Sequence, residues 1–400
     1  MSFGKNISTL KLPHHKQTSG MASEPITPSA EVLLPMNMHS GQAAVPVVEV
    51  GQHVYRGQLI AREEGKNSSP VHASVSGTVK AIEPYGRTQA IRIESDGRME
   101  ADPELKAPDV HDLDSFLQAV RESGIVGLGG AAFPVDWKFD AALRHNVKTM
   151  LINGAECEPY VTSDNRMMLD HGEDIRRGIE ILRKYVKPDN FVFAIENNKP
   201  HAIAAMKELF ADDPTMSIVE LPSSYPQGAK QMILYNALGK VVYAGQRFAT
   251  LGVIIINVST LAKVAKFMDT GMPLVDRVVT VDGSAIKEPK NVIAPIGTAC
   301  KEVIDFAGGF GCEPKKLVMG GPMMGVAQYD LDAPVAKGTS AILAFNEKDA
   351  RPVTPTACIR CGGCIDHCPM NLMPVEIERA YEKNDAEALK ALKVGLCIEC

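Results

Sequence analysis

The chain has 400 residues, of which 45% are hydrophobic and 22% are charged, so it is too long for one ordinary domain and too apolar for a disordered protein. Its 42 basic side chains are outnumbered by 48 acidic ones, and the net charge of -6 argues against nucleic acid as a partner. No apolar run approaches the roughly 18 residues of a membrane-spanning helix, and the N-terminus lacks the apolar segment of a signal peptide. We therefore expect a multi-domain protein that is made in the cytosol and stays there.

Residues 1–108 predict short strands separated by turns. The runs VPVVEVGQHVYRGQLIA and SSPVHASVSGTVKAIEPYGRTQAIRIES alternate apolar and polar residues and are rich in glycine and proline. Together they resemble the biotinyl/lipoyl-like barrel, in which two hairpin halves close around a small core. Carrier domains of this type present a lysine at the connecting turn, and Lys66 lies near that turn. Because its neighbours GKNSS lack the Met-Lys-Met context of the carriers, we expect a structural or docking module.

Residues 109–272 change to alternating helices and strands. The amphipathic helices are LDSFLQAVRES, EDIRRGIEILRKYV, HAIAAMKELF and KQMILYNALG, and the strands are VKTMLING, NFVFAIE, MSIVEL and the first half of LGVIIINVSTLAKVAKFM. This alternation predicts an α/β unit with a central sheet, and such sheets bind ligands at the carboxyl ends of their strands. Residues 273–345 return to short strands around one helix, CKEVIDFAGG, and predict a small α+β domain.

The last segment, residues 346–400, contains six of the nine cysteines. Four of them have the spacing C-x2-C-x2-C-x3-C-P that bacterial ferredoxins use for iron-sulfur clusters: Cys358, Cys361, Cys364 and Cys368. A zinc ribbon is the alternative, but its paired C-x2-C knuckles would not explain the third and fourth cysteines or the Cys-Pro. We therefore expect 4Fe-4S clusters.

The remaining two cysteines, Cys397 and Cys400, have the spacing that begins a second run of this kind. In cross-ligated pairs of clusters, the fourth cysteine of each run binds the other cluster. On that pattern Cys358, Cys361 and Cys364 would hold one cluster, and Cys368, Cys397 and Cys400 would hold the other. Each set lacks one ligand, so we expect the sequence to be truncated after Cys400.

A glycine-rich stretch, GIVGLGGAAFP at residues 124–134, follows the first helix of the α/β unit, and Lys138 comes soon after it. Glycines let backbone N–H groups approach a phosphate closely, although such turns are also common between elements without any ligand. Two further stretches follow predicted strands of the same sheet, NGAECEPY at 153–160 and NVST at 257–260. The three stretches together favour a nucleotide-type cofactor at the carboxyl edge of the sheet.

The order of GLGGAAFPxxWK, INGAECEPY, YPQG, NVST, GGPMMG and the cysteine run resembles the RnfC family, one of the subunits of the Rnf ion-translocating ferredoxin:NAD oxidoreductase. The α/β unit is similar to the NADH-binding flavoprotein subunit of respiratory complex I. The resemblance covers essentially the whole chain. It implies a multi-domain α/β protein with an N-terminal barrel, an FMN- and NADH-binding domain, a small SLBB-type β-grasp domain and a helical ferredoxin-like segment at the C-terminus.

The resemblance also implies the residues that bind each group. It places a noncovalent FMN against Gly127, Gly129, Gly130, Lys138, Asn153, Glu156, Cys157, Tyr225, Gly228, Asn257 and Thr260, and it places NADH against Phe133 and Glu158. This sequence departs from the family at some positions. Ala132 replaces a glycine of the loop, Ala155 replaces the acidic residue of the complex I subunit, and the turn YPQGAKQ is one residue shorter than the usual YPQGGEKQ and lacks its glutamate.

The function implied is that of a peripheral electron-input subunit on the cytoplasmic side of the cell membrane. It would pass electrons between NAD(H), FMN and two 4Fe-4S clusters, and other Rnf membrane subunits would couple it to ferredoxin and ion transport. One alternative is a cobalamin reductase of the propanediol-utilisation type, in which the glycine-rich loop opens the chain and no barrel precedes it. The other is a non-catalytic electron-transfer scaffold, for which the shortened turn is the main support.

Several other conspicuous side chains are expected to pack rather than to bind ligands: His14, His15, Trp137, Cys300, Cys312, Met323 and Met324. The two histidines match an N-terminal segment of the family that packs against the tail. The two cysteines of the small domain lack ligand spacing and are expected to be buried. The methionine pair is expected to fill gaps in the core.

Overall fold

The structure is a computed structural model that describes residues 9–400 except for residues 28, 66 and 244 and the side chains of residues 142 and 143. Lys66, the lysine near the barrel turn, lies outside the described residues. The chain starts with a segment that contains a short 3-10 helix, Gln17–Gly20, and the strand β1, Glu24–Pro25. This segment does not join the barrel that follows it, because β1 pairs with a strand of the small domain, Lys290–Pro295.

The barrel comes next along the chain. Its strands are β2 (Glu31–Pro35), β3 (Val45–Pro46), β4 (His53–Val54), β5 (Leu59–Arg62), β6 (Val71–His72), β7 (Gly77–Tyr85) and β8 (Thr88–Ser95). They form two antiparallel sheets with the orders β2-β8-β7-β4 and β3-β5-β6. Apolar side chains such as Val54, Ile60 and Ile91 fill the space between the sheets. The predicted barrel of short strands is therefore confirmed.

The α/β unit is built on a parallel sheet with the strand order β11-β10-β9-β12. Its strands are β9 (Thr149–Gly154), β10 (Asn190–Glu196), β11 (Met216–Leu221) and β12 (Val253–Asn257). Its helices are α1 (Leu113–Glu122), α2 (Asp136–Arg144), α3 (Ser163–Asp170), α4 (Gly172–Tyr185), α5 (Pro200–Leu209), α6 (Lys230–Leu238) and α7 (Val258–Thr270). The central strands β9 and β10 are buried along almost their whole length because helices cover both faces of the sheet. The predicted alternation of helices and strands is confirmed.

The small domain contains a mixed sheet with the order β1-β14-β13-β17-β15-β16. Its strands are β13 (Asp276–Asp282), β14 (Lys290–Pro295), β15 (Lys316–Met319), β16 (Val326–Gln328) and β17 (Ala341–Phe345), and its helix is α8 (Cys300–Phe306). The central strand β13 is buried throughout and runs parallel to β17. This is the small α+β domain that the sequence predicts.

The C-terminal segment is helical and largely exposed. Its helices are α9 (Glu347–Ala350), α10 (Gly363–Asp366), α11 (Pro374–Glu382) and α12 (Ala386–Ala391), followed by a 3-10 turn, Val394–Leu396. The predicted helical stretch is interrupted where Asn384 adopts a φ of +54° and Asp385 caps α12 by accepting the N–H of Ala388. Across the described residues, no helix combines the length and the apolar character that crossing a membrane requires.

Candidate functional site

The predicted site residues follow two neighbouring strands at the same edge of the sheet. Asn153 near the end of β9 is the register partner of Asn257 at the end of β12. The segment of residues 155–161, which we call the β9 loop, leaves the sheet at this edge. The carboxyl edge of the parallel sheet therefore brings the stretches NGAECEPY and NVST together, in the place where α/β sheets bind ligands.

The glycine-rich loop lies directly against this edge. The backbone N–H of Leu128 donates to Thr260 Oγ1 at 2.9 Å, and the carbonyl of Leu128 accepts from the guanidinium of Arg277 at 3.1 Å. A Cβ on Gly129 would lie 2.5 Å from Asn257 Nδ2, so no larger residue fits there without displacing the asparagine. The loop is thus fixed between the start of α7 and the small domain, as close to the sheet as a glycine backbone allows.

Ala132 in this loop has a φ of +49°. This left-handed conformation favours glycine because a Cβ then crowds the backbone carbonyl. The departure from the family glycine at position 132 therefore carries backbone strain.

Lys138 on α2 places its ammonium next to the glycine-rich loop. A Cβ on Gly127 would lie 3.2 Å from Lys138 Nζ. Burial and the positive charge of Lys230 lower the pKa of Lys138 to about 8. Within the described residues, neither lysine has a hydrogen bond or an ion pair through its Nζ atom. Two cations without an anion beside a glycine-rich loop fit the phosphate of a nucleotide-type cofactor.

The start of α7 is held by a partly buried carboxylate that the sequence did not single out, Asp164. Asn257 caps the helix by accepting the N–H of Thr260 at 3.2 Å, and its Nδ2 atom donates to Asp164 Oδ2 at 2.6 Å. The hydroxyl of Ser259 donates to the other oxygen of Asp164. Burial raises the pKa of Asp164. Asn257 and Thr260 therefore use their side chains to fix the helix start and the glycine-rich loop.

Asn153, Cys157 and Gly228 also converge, as the resemblance implies. Asn153 Nδ2 donates to the carbonyl of Gly228 at 3.0 Å, and the N–H of Gly228 donates to Cys157 Sγ at 3.2 Å. Burial, with a smaller effect from Glu196, raises the pKa of Cys157 to about 12. The thiol is thus neutral at physiological pH and is suited to pack against a ligand rather than to attack one.

The two acidic residues of the β9 loop have different partners. The carboxylate of Glu156 accepts the N–H groups of Asp164 at 2.6 Å and Asn165 at 3.3 Å, at the start of α3. Burial raises the pKa of Glu156 to about 7. Glu158 instead reaches the small domain, where its oxygens accept the N–H groups of Met323 at 2.9 Å and Met324 at 2.8 Å.

The methionine pair lies at the surface, beside Glu158. Met323 is 40% exposed and Met324 is 51% exposed, so the expectation that they fill the core is wrong. The physical reason is that the turn GGPMMG presents its backbone N–H groups to Glu158, which directs the side chains outward. The sequence pattern of apolar residues does not reveal this orientation.

Aromatic residues flank the site. Phe133 is half-buried and makes an edge-to-face contact with Trp137 at 6.1 Å, so Trp137 packs against the glycine-rich loop as expected. Tyr225 precedes a cis peptide bond to Pro226 and is 3% exposed. Burial, followed by the charges of Glu158, Cys157 and Cys400, raises the pKa of Tyr225.

The cysteines of the C-terminal segment lie at the surface. Cys368 is partly buried, and the other five are exposed: Cys358, Cys361, Cys364, Cys397 and Cys400. Burial is the main cause that raises the pKa of Cys400. Over the part of the chain that the structure describes, no set of three or more Cys, His, Asp or Glu side chains converges tightly enough to hold a metal ion.

Two histidines and two cysteines were also expected to pack within the protein: His14, His15, Cys300 and Cys312. His14 and His15 are both exposed. His15 stacks on Tyr160 with ring centroids 4.7 Å apart, and His14 Nδ1 is 3.2 Å from Asn198 Nδ2, so both contact the α/β unit from the surface. Cys300 is buried as expected. Cys312 is exposed, so its expected burial is wrong: it follows the exposed Gly311 beyond the end of α8, outside the core of the small domain.

Three family models match the chain in the order of its domains. Residues 7–98 match the RnfC barrel sandwich hybrid domain, residues 120–266 match the Nuo51 FMN-binding domain, and residues 278–327 match the SLBB domain. Among solved structures, an NAD+-reducing [NiFe]-hydrogenase in the air-oxidised state is similar, with a TM-score of 0.50 and 20% identity. The match covers 60% of this chain and 47% of the hydrogenase chain, and it bears on the fold alone.

Curated relatives share the sequence over most of its length. The C subunit of the proton-translocating ferredoxin:NAD(+) oxidoreductase complex of Clostridium ljungdahlii is 42% identical, over 86% of this chain and 77% of its own length. The C subunit of the Na(+)-translocating complex of Acetobacterium woodii is 39% identical, over 88% of this chain and 82% of its own length. The C subunit of the ion-translocating oxidoreductase complex of Haemophilus influenzae is 35% identical, over 89% of this chain and 57% of its own length. The chain therefore belongs to the RnfC family, the C subunits of ion-translocating ferredoxin:NAD oxidoreductase complexes.

Proposed function

We propose that this chain is the electron-input subunit of an ion-translocating complex and passes electrons between NAD(H), a noncovalent FMN and iron-sulfur clusters. The observation that carries the proposal is the partly buried ammonium of Lys138, which lies beside the glycine-rich loop without an anionic partner among the described residues. The phosphate of a flavin mononucleotide supplies such an anion. The match of residues 120–266 to an FMN-binding domain supports the same group.

The residues around the carboxyl edge fit an FMN. Gly129 and Gly130 would present backbone N–H groups to the phosphate, and Lys138 would neutralise it. The N–H of Gly127 donates to the carbonyl of Phe133 at 2.8 Å, so Gly127 would shape the loop and let the cofactor approach closely. Asn257 and Thr260 would keep this loop in place through their bonds to Asp164 and Leu128. The remaining proposed contacts would line the edge of the flavin ring: Asn153, Glu156, Cys157, Tyr225 and Gly228. When bound, FMN would accept two electrons from NADH and release them one at a time.

NADH is proposed to bind beside Phe133 and Glu158. The exposed face of Phe133 offers an aromatic surface for a base to stack on. Each carboxylate oxygen of Glu158 has a further lone pair beyond the one that accepts from Met323 or Met324, so a ribose hydroxyl can donate to it. The charge of Glu158 is then shared between the dinucleotide and the turn of the small domain.

The cysteines are proposed to hold two 4Fe-4S clusters, with Cys358, Cys361 and Cys364 in one and Cys368, Cys397 and Cys400 in the other. The spacing C-x2-C-x2-C-x3-C-P from Cys358 to Pro369, followed by a second C-x2-C at Cys397 and Cys400, supports this assignment.

The partners proposed are the other subunits of the complex, with ferredoxin contacted indirectly, and the location proposed is the cytoplasmic side of the cell membrane. The names of the relatives, which are subunits of ion-translocating complexes, support this assembly. The second candidate is an electron-transfer scaffold that does not oxidise NADH. The engagement of Glu158 with the small domain favours it, because the acid proposed for the ribose already has two partners.

One measurement distinguishes the electron-input subunit from the electron-transfer scaffold. The 400-residue chain would be loaded with flavin and reconstituted with iron and sulfide without oxygen, and NADH oxidation would be followed with ferricyanide as the acceptor. We expect FMN as the released flavin and steady oxidation of NADH. FAD as the only flavin would contradict the proposed cofactor, and a protein that retains FMN without oxidising NADH would favour the scaffold.

A further inference from the structure

The N-terminal segment of residues 9–20, which we call the strap, contacts both loops of the proposed site. The N–H groups of Leu10 and Tyr225 each donate to the carbonyl of the other residue at 2.8 Å. The N–H of Tyr160 donates to the carbonyl of His14 at 2.9 Å, and the hydroxyls of Thr18 and Thr162 are 2.6 Å apart. The strap therefore joins the YPQG turn to the β9 loop, although it is distant from both in sequence.

Lys16 of the strap is inserted into the β9 loop. Its ammonium donates to the carbonyls of Glu156 at 2.9 Å and Glu158 at 3.0 Å, and also to that of Val161. The Lys16 side chain is 8% exposed. Its distance to the nearest carboxylate oxygen of Glu156 is 3.8 Å, longer than the two measured bonds to carbonyls. The main partners of Lys16 are thus backbone groups of the loop.

The conformation of the β9 loop explains why a cation is needed. Glu156 and Tyr160 have φ values of +47° and +67°, which bend the backbone so that three carbonyl groups converge. Convergent carbonyl dipoles repel each other, and buried acceptors without a donor are costly. The three donors of one ammonium satisfy all three carbonyls at once. Lys199 donates to the adjacent carbonyl of Ala155 and, at 3.4 Å, also to that of Glu156, whereas the carbonyls of Glu158 and Val161 are bound by Lys16.

We propose that Lys16 is a positioning residue for the dinucleotide side of the site, which it serves by fixing the β9 loop from the strap. This inference rests on the proposed function, in which Glu158 of that loop binds the ribose of NADH. The phosphate end of the flavin is held by a different set of residues, the glycine-rich loop and Lys138. Removing the ammonium of Lys16 therefore disturbs the binding of NADH more than the retention of FMN.

The test compares Lys16→Met with Lys11→Met in the full chain loaded with FMN. Lys11 lies in the same strap and is exposed, so the control makes the same chemical change outside the loop. We expect Lys16→Met to raise the Michaelis constant for NADH by about tenfold or more, the factor that corresponds to roughly 1.4 kcal/mol of binding free energy. The FMN content and the kcat with ferricyanide of Lys16→Met should equal those of the parent. Lys11→Met should equal the parent in all three quantities.

A second variant, Lys16→Gln, retains two donors without the charge. Its Michaelis constant for NADH should lie between those of the parent and of Lys16→Met. Parental Michaelis constants in both Lys16 variants would overturn the inference while leaving the proposed function intact. Loss of FMN or of the folded state in both would also overturn it, since Lys16 would then support the whole domain rather than one side of the site. A parent that keeps FMN but does not oxidise NADH would contradict the proposed function and this inference together.

Discussion

At the scale of single residues, Lys138 has the clearest expected effect. Its ammonium is partly buried next to Gly127 and has no anionic partner among the described residues. We expect Lys138→Ala to weaken FMN binding by about 1.5 to 3 kcal/mol, the usual contribution of a charge-assisted hydrogen bond. Titration of the flavin-free protein with FMN measures this change. An unchanged dissociation constant would reject Lys138 as the phosphate ligand.

The lowered pKa of Lys138 also predicts how FMN binding depends on pH. The free protein holds this lysine at a pKa of about 8, and a bound phosphate would raise it because it stabilises the charged form. Only the protonated lysine attracts the phosphate, so FMN affinity should fall as the pH rises from 8 toward the pKa of the bound state. The same titration at several pH values measures the slope. In Lys138→Ala, FMN affinity should no longer fall over this pH range. If the variant has the same pH dependence as the parent, another group such as Lys230 is responsible for it.

At the scale of elements, the start of α7 holds the glycine-rich loop through Thr260. Its hydroxyl accepts the buried N–H of Leu128, and valine has the same shape without the acceptor. We expect Thr260→Val to lower the free energy of unfolding by about 1 to 3 kcal/mol, the cost of a buried donor left without a partner. Denaturant unfolding measures it. Thr270→Val at the exposed end of the same helix is the control. The hydroxyl of Thr270 also accepts an N–H, that of Met272 at 3.1 Å, but water can replace this exposed bond, so the control should cost less. Equal losses would show that the buried N–H of Leu128 does not depend on Thr260.

The elements themselves could be predicted more fully than their connections. Apolar periodicity located β9, β10, β11, β12 and most of the helices, because burial in a layered fold imposes that pattern. The short helix α3 was missed, since its sequence SDNRMMLD is mostly polar and its buried residues include Asn165 and Arg166. These two polar side chains are buried because both donate to the carbonyl of Ser19, which a distant segment supplies. No local pattern carries that information.

At the scale of the whole molecule, the site depends on contacts between parts of the chain that are far apart. The order of domains and the convergence of Asn153, Cys157, Gly228 and Asn257 could be predicted, because strand order and motif order determine them. The strap could not, since its residues contact the α/β unit and the small domain rather than the barrel that follows it in the chain. Nor could the bonds from Met323 and Met324 to Glu158, because the turn GGPMMG lies more than 150 residues beyond the β9 loop.

Substituting Glu158 tests whether the carboxylate that links the two domains also binds NADH. Glu158→Gln keeps the shape but turns an amide nitrogen toward one of the two N–H groups that the carboxylate accepts, so we expect a loss of about 1 to 3 kcal/mol in the free energy of unfolding. If the carboxylate also binds the ribose, the Michaelis constant for NADH rises while FMN content stays constant.

Gly321→Ala separates the two roles of Glu158. A Cβ on Gly321 would lie 2.3 Å from Glu158 Oε2, so this variant disturbs the link between the domains while it keeps the charge. We expect both variants to destabilise the fold, but Glu158→Gln to raise the Michaelis constant for NADH further, because it alone removes the charged acceptor. Unfolding curves and steady-state NADH oxidation of both variants provide the comparison. Equal Michaelis constants in the two would assign Glu158 to the link between the domains and reject it as a ligand of the dinucleotide.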